Sequence, residues 1–228
     1  VNAAPPFATP AWWAGAAQLA RVVSVQDPAA LGRVQVTLLG PDSDGAAALW
    51  ARVAVPFAGE NRGAFLIPDV GDEVLVVFVG DDRAAPVVVG ALWNGATALP
   101  ETLPGDRVDR WTLTGKAGTR IAIVEEASGQ EMVEIETPAG AKATLTDASG
   151  GSIALELPGG TSVKLDTQGV TVTTSSTVTV QASRVSVSAG QVSVDAGLAS
   201  FSGVVRCDTL IATSVVGTSY TPGAGNIW

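Results

Sequence analysis

This 228-residue sequence predicts an all-β chain, a small barrel followed by a repetitive β shaft. Three observations predict it. From near Arg110 to the end, apolar residues do not recur at the 3.6-residue helical period between capping signals. Five or six β-rich runs separated by turn residues fit into fewer than 80 residues from Gln18 to Gly95. From near Arg110 onward, a two-residue apolar beat followed by a turn repeats toward the end of the chain.

The first segment, Val1–Ala17, is rich in Ala and Pro and carries the pair Trp12–Trp13. Pro5, Pro6 and Pro10 disfavour a helix, so residues 1–17 read as an extended arm. Without a basic start, the arm does not resemble a secretory signal. Residues 18–95 read as the barrel. Its runs are Leu19–Val25, Arg33–Leu39, Trp50–Val55, Gly63–Ile67, Glu73–Val79 and Pro86–Leu92, punctuated by Asp27-Pro28, Gly32 and Gly40. Residues 96–117 read as a linker, and 118–228 as the shaft.

In the shaft the beat starts at Ile121-Ala-Ile-Val124 and continues through Val133-Glu-Ile135, Ala143-Thr-Leu145, Ile153-Ala-Leu155 and Val163-Lys-Leu165, the last four ten residues apart. It then tightens through Val170-Thr-Val172, Val178-Thr-Val180, Val185-Ser-Val187 and Val192-Ser-Val194, in steps of 8, 7 and 7. Alternation with Thr and Ser puts the valines on one side of a strand and the hydroxyls on the other. Such short units have no core of their own and must stack on neighbours. A single chain folded this way would leave open strand edges, which intertwined copies remove. Val170, Val172, Val178, Val180, Val185, Val187, Val192 and Val194 are therefore the expected core between copies. A disordered Ser/Thr stalk is the competing reading, but the valine beat is too regular and too apolar for disorder.

Composition excludes several functions. The chain has one cysteine, Cys207, and no histidine. That removes the usual zinc sites, any disulfide within one chain, and catalysis by His or a Cys–His pair. Cys207 reads as a buried small apolar residue rather than a reactive thiol. The formal charge is −9, and residues 18–95 hold five Arg against nine acidic residues, which argues against nucleic acid. No run approaches the ~20 apolar residues of a membrane helix. Asp69, Asp72, Glu73, Asp81 and Asp82 could form a metal site or an acid–base pair. Beside Gly71 and Gly80, the ordinary reading is turn chemistry at strand ends, and it is the one adopted. No metal, cofactor or catalytic residue is expected.

The middle region, Trp50-Ala-Arg-Val-Ala-Val-Pro-Phe-Ala-Gly59, Gly63 to Phe78, Gly80-Asp-Asp82, Pro86-Val-Val-Val-Gly90 and Leu92-Trp-Asn-Gly95, resembles a known series. It is similar to the oligonucleotide/oligosaccharide-binding (OB) barrel of contractile-tail spike proteins. That family includes phage baseplate assembly protein V and the valine–glycine repeat spike of type VI secretion. Asp27-Pro28 and Leu31-Gly-Arg-Val-Gln-Val36 fit the same barrel's first hairpin. The ending, Gly203 to Leu210 and Tyr220-Thr-Pro-Gly-Ala-Gly-Asn-Ile-Trp228, resembles spike tips of phage-derived injection systems.

The resemblance implies a homotrimer with three barrels at the base and three chains wound into a triangular β-helix, or β-prism, needle. It implies a non-enzymatic spike that joins a hub to a tip cap and pierces an envelope when a sheath contracts. Such particles assemble in the bacterial cytoplasm and work in the virion or outside the cell, in transient contact with a target membrane. Ala96–Asp109 is too short for the lysozyme domain of some relatives. About 17 residues precede the barrel, which implies a separate hub protein. The His-x-His iron site of certain phage spikes has no counterpart here, and a separate cap of the proline–alanine–alanine–arginine (PAAR) repeat type is expected. Tyr220, Gly223, Gly225, Ile227 and Trp228 are the expected tip or cap-docking residues. Trp12 and Trp13 either contact the hub or cover the barrel. The rival function is a trimeric receptor- or carbohydrate-binding fibre.

Overall fold

A computed structural model describes residues 17–40, 47–96 and 98–219. Trp12, Trp13, Tyr220, Gly223, Gly225, Ile227 and Trp228 lie outside the described residues. Among the described residues no helix is long and apolar enough to cross a membrane. Contacts divide the chain into two units, one ending at Thr177 and the other beginning at Val178.

In the first unit, strands β1 (Gln18–Ser24), β2 (Val34–Leu38), β3 (Leu49–Val53), β6 (Glu73–Phe78) and β7 (Pro86–Leu92) close into a barrel in the order β1-β2-β3-β7-β6. All neighbours are antiparallel except β3 and β7, which run parallel. The ladder is irregular between Val22 and Ser24 and between Leu75 and Val76. Such bulges bend strands, as closure of a small barrel requires.

Alternate residues of these strands point inward. Val22, Val34, Val36, Val74, Val76 and Val88 are fully buried, joined by Ala20, Ala51 and Phe78. A core with one aromatic ring suits a five-stranded barrel, whose interior has room only for small branched side chains. The turn before β6 places Gly71 at φ 97°, where its N–H donates to the Val22 carbonyl and ties that turn to β1.

Between β3 and β6 the expected strand Gly63–Ile67 shrinks to a two-residue pairing of β4 (Ala58–Gly59) with β5 (Arg62–Gly63). Pro68 follows immediately and has no N–H for a ladder, and Phe65 and Leu66 stand exposed.

The second part of this unit is a seven-stranded antiparallel meander: β8 (Arg110–Thr114), β9 (Arg120–Val124), β10 (Met132–Glu136), β11 (Lys142–Thr146), β12 (Ser152–Glu156), β13 (Ser162–Asp166) and β14 (Gly169–Thr173). Strands β10 to β14 coincide with the apolar beats read from the sequence. Strand β8 occupies residues within the stretch read as linker, 96–117. Three hairpin turns share one design. Gly115, Thr137 and Leu157 each donate N–H to the carbonyl four residues on, at Thr119, Ala141 and Thr161. Gly140 stands at φ 84°, and a Cβ there would meet Pro158 Cγ at 3.3 Å, so one hairpin turn packs directly on the next.

In the second unit, the described residues 178–219 form no strand ladder within one copy. The backbone there is interrupted by bends.

Candidate trimerisation surface

A five-residue strand in an alternating sequence sorts its side chains to two faces. The registers of β8 to β14 stack these residues into two apolar rails on one face. One rail runs Trp111, Ile123, Val133, Leu145, Ile153, Leu165, Val170. The other runs Leu113, Ile121, Ile135, Ala143, Leu155, Val163, Val172. All are exposed in one copy except Ala143 and Val163, which are half-buried. A continuous apolar face of this size, left uncovered by the described residues around it, is the signature of an interface.

The opposite face is polar and partly covered. Arg120 donates to Glu101 at 2.6 Å and to Glu134 at 3.0 Å, and Lys142 pairs with Glu134 from the other side. Glu134 is the only charged residue among the described ones that is buried, at 6% exposure, and two cations flank it. Its carboxylate holds the Lys142 ammonium above the usual lysine range. Alongside, Arg110 bonds Asp109 at 2.8 Å and Glu126 at 2.6 Å, which lowers the Asp109 pKa. Glu101 and Asp109 belong to the segment between barrel and sheet, so these ion pairs fasten that segment to the polar face. This leaves the apolar face free.

Of the eight valines expected between copies, Val170 and Val172 lie on the apolar face of β14, 69% and 56% exposed. Val178, Val180, Val185, Val187, Val192 and Val194 lie in the second unit, and all are exposed in one copy. Their backbone has no ladder within the copy. Buried backbone groups need partners, so burying these valines requires strands from elsewhere.

Sequence reasoning put the apolar residues of β9 to β13 in the same stacked beat, but named only the valines as the core between copies and read β8 as linker. The same alternation signals the rest of the rails. The ion pairs had no sequence signal, because Glu101 and Arg120 are 19 residues apart and meet only through the meander.

The acidic cluster resolves into turns. The Asp69 N–H donates to Asp72 Oδ2 at 2.8 Å, and the Ala84 N–H donates to Asp82 Oδ1 at 2.8 Å. Asn94 Nδ2 donates to Glu73 Oε2, and Lys116 pairs with Asp69 and lowers its pKa. Among the described residues no group of three or more potential metal ligands comes together. The first barrel loop is similarly self-contained. Asp27 accepts the N–H groups of Ala29, Leu31 and Arg33 and a two-pronged Arg33 guanidinium at 2.7 and 3.0 Å. Arg33 lies 5.6 Å over the Trp50 ring.

Comparison with known proteins matches this division. Residues 18–93 match the family described as the type VI secretion system/phage-baseplate injector OB domain. Residues 132–197 match the phage baseplate V C-terminal trimerisation domain. Together the two matches cover more than half of the chain, in the order barrel then shaft. Both matched regions are domains of contractile-tail baseplate spike proteins.

Named relatives of this spike family agree. Over 110 residues the chain is 34% identical to the type VI secretion system spike protein VgrG5 of Pseudomonas aeruginosa, covering 45% of this chain and 14% of that protein. It is 35% identical over 72 residues to spike protein VgrG1c of the same organism, covering 31% and 10%. The actin cross-linking toxin VgrG1 of Vibrio cholerae matches at 36% over 55 residues, covering 24% and 5%. The matched region thus spans about a tenth of the length of the first two relatives. The all-β architecture, the closed five-stranded barrel and a trimerisation domain are those expected from the sequence.

Proposed function

We propose that this protein is the structural, non-enzymatic central spike of a contractile tail or injection particle, and that it works as a homotrimer. The observation that carries this reading is the pair of unbroken apolar rails from Trp111 to Val172, exposed in one copy. From Val133 onward they lie within a segment that matches a trimerisation domain. Three such sheets closed about an axis would bury the rails as a common core, with Arg120, Glu134 and Lys142 outside. The valines from Val178 to Val194 would form a shared core of their own as a β-prism. A cooperative, edge-free shaft is stiff and can pass an axial load to an envelope when a sheath contracts.

In this reading the barrel end meets a separate hub, with Trp12 and Trp13 as contacts. Tyr220, Gly223, Gly225, Ile227 and Trp228 meet a PAAR-type cap. The non-enzymatic assignment is supported by the carboxylates of Asp69, Asp72 and Asp82, each engaged in turn or ion-pair chemistry. Deleting Tyr220–Trp228 from the full chain tests the tip. The truncated protein should keep its trimer mass and lose retention of a PAAR-type cap on a column. Retention equal to that of the intact chain would contradict the assignment.

A further inference from the structure

The second unit changes its period part-way along. Its backbone bends at Ser183, Gly190 and Gly197, seven residues apart. It then bends at Ser202–Gly203, Asp208, Thr213 and Thr218, five apart. The sequence follows the same step. Set out by fives, Val205, Leu210 and Val215 fall in one column, and Cys207, Ala212 and Gly217 fall two residues further on. Val205 is 61% exposed, and Leu210 and Val215 are each 70%. Their apolar neighbours Val204, Ile211 and Val216 are 94–98% exposed. The less exposed set is the one assigned to the inner side.

Side-chain size agrees with bend spacing. Residues two apart share a side of a strand, so each seven-residue crossing turns two valines inward, as with Val178 and Val180. Each five-residue crossing turns in one large residue and one small one, and the small one shrinks from Cys207 through Ala212 to Gly217. A crossing two residues shorter removes about 7 Å of contour per face, and the paired side chains shrink to match.

We propose that residues 203–219 form a separate, narrower tip module, with a register between copies different from that of the shaft below it. This rests on the trimeric reading above. When each repeat crosses one face of a three-fold prism, the next strand on that face is the following repeat of a neighbouring copy. Residue i then stands beside i+7 of the next copy over 178–197, and beside i+5 over 203–219. Neighbouring strands put such residues about 4.8 Å apart at Cα, within the roughly 4.4–6.8 Å that a disulfide spans.

The test is cysteine pairing in the full chain carrying Cys207→Ala, oxidised with copper phenanthroline and run denatured without reductant. Thr209→Cys/Ser214→Cys, five apart in the tip, should give covalent dimers and trimers. Thr209→Cys/Val216→Cys, seven apart, should stay at monomer mass. In the shaft, Thr179→Cys/Ser186→Cys should link and Thr179→Cys/Arg184→Cys should not. Linking of 209 to 216 in place of 214 overturns the register change. So does a tip in which neither pair links while 179 links to 186, and that outcome leaves the trimeric spike standing. Absence of the 179–186 link in a chain of monomer mass would instead sink the trimeric reading itself.

Discussion

The barrel and the shaft use the same residue for opposite ends. Val22, Val34, Val36, Val74, Val76 and Val88 are sealed within one copy by a closed five-stranded sheet. Val170, Val172, Val178 and Val187 obey the same alternation, yet one copy leaves them in water. The difference lies in closure. Five strands of five to seven residues, bent by bulges, meet their own first strand. The meander is an open sheet, and the described repeats after it form no ladder of their own. Alternation therefore specifies that a face is buried, and topology decides whether the chain or its copies bury it.

Charge placed in each region should separate the two cases. Val76→Asp sets a carboxylate in a sealed core at a cost on the order of a small domain's whole stability, about 5 kcal/mol. Barrel unfolding, read by circular dichroism, should follow at any protein concentration. Val187→Asp should instead leave the barrel folded and abolish the trimer. The solution mass would then fall to that of one chain. A Val187→Asp protein that assembles normally would show that this beat does not face inward.

A smaller effect is expected at the fastening of the polar face. Arg120→Met leaves Glu101 and the buried Glu134 without their shared guanidinium, costing about 1–3 kcal/mol. The thermal midpoint of the shaft should drop while that of the barrel does not. Equal drops in both would mean that the two parts unfold as one.

The smallest effect is a pH dependence confined to the barrel. Arg33 and three backbone N–H groups hold the Asp27 carboxyl well below the usual carboxylate range. A depressed folded-state pKa contributes stability above the unfolded value of about 3.9, and that stability is lost as pH falls through the folded value. Asp27→Asn should thus lower the barrel's midpoint at pH 7 and shrink the further drop between pH 7 and pH 3. An unchanged drop would place the acid sensitivity in other carboxylates.

The parts legible in the sequence were those with a short period. β1, β2, β3, β6 and β7 announced themselves as apolar runs between Gly, Pro and Asp. β10 to β13 announced themselves as a ten-residue beat. Strand β8 was hidden because Arg110–Thr114 follows a Pro- and Gly-containing stretch, and only its pairing with β9 marks it as part of the sheet. The strand expected at Gly63–Ile67 failed because periodicity cannot register the effect of Pro68 on a ladder. The five-residue period past Gly203 was missed for another reason. The beat there pairs one large residue with a small one, so the Val-x-Val pattern disappears although the alternation persists.

The central claim is that the shaft's apolar residues are a core shared by three copies. The molar mass of the purified full chain, measured in solution by light scattering, tests it most directly. A trimer has three times the chain mass of 22.9 kDa, about 69 kDa, and should persist in mild detergent. A stable, folded monomer of 22.9 kDa would contradict the account and leave the exposed rails from Trp111 to Val172 without an occupant.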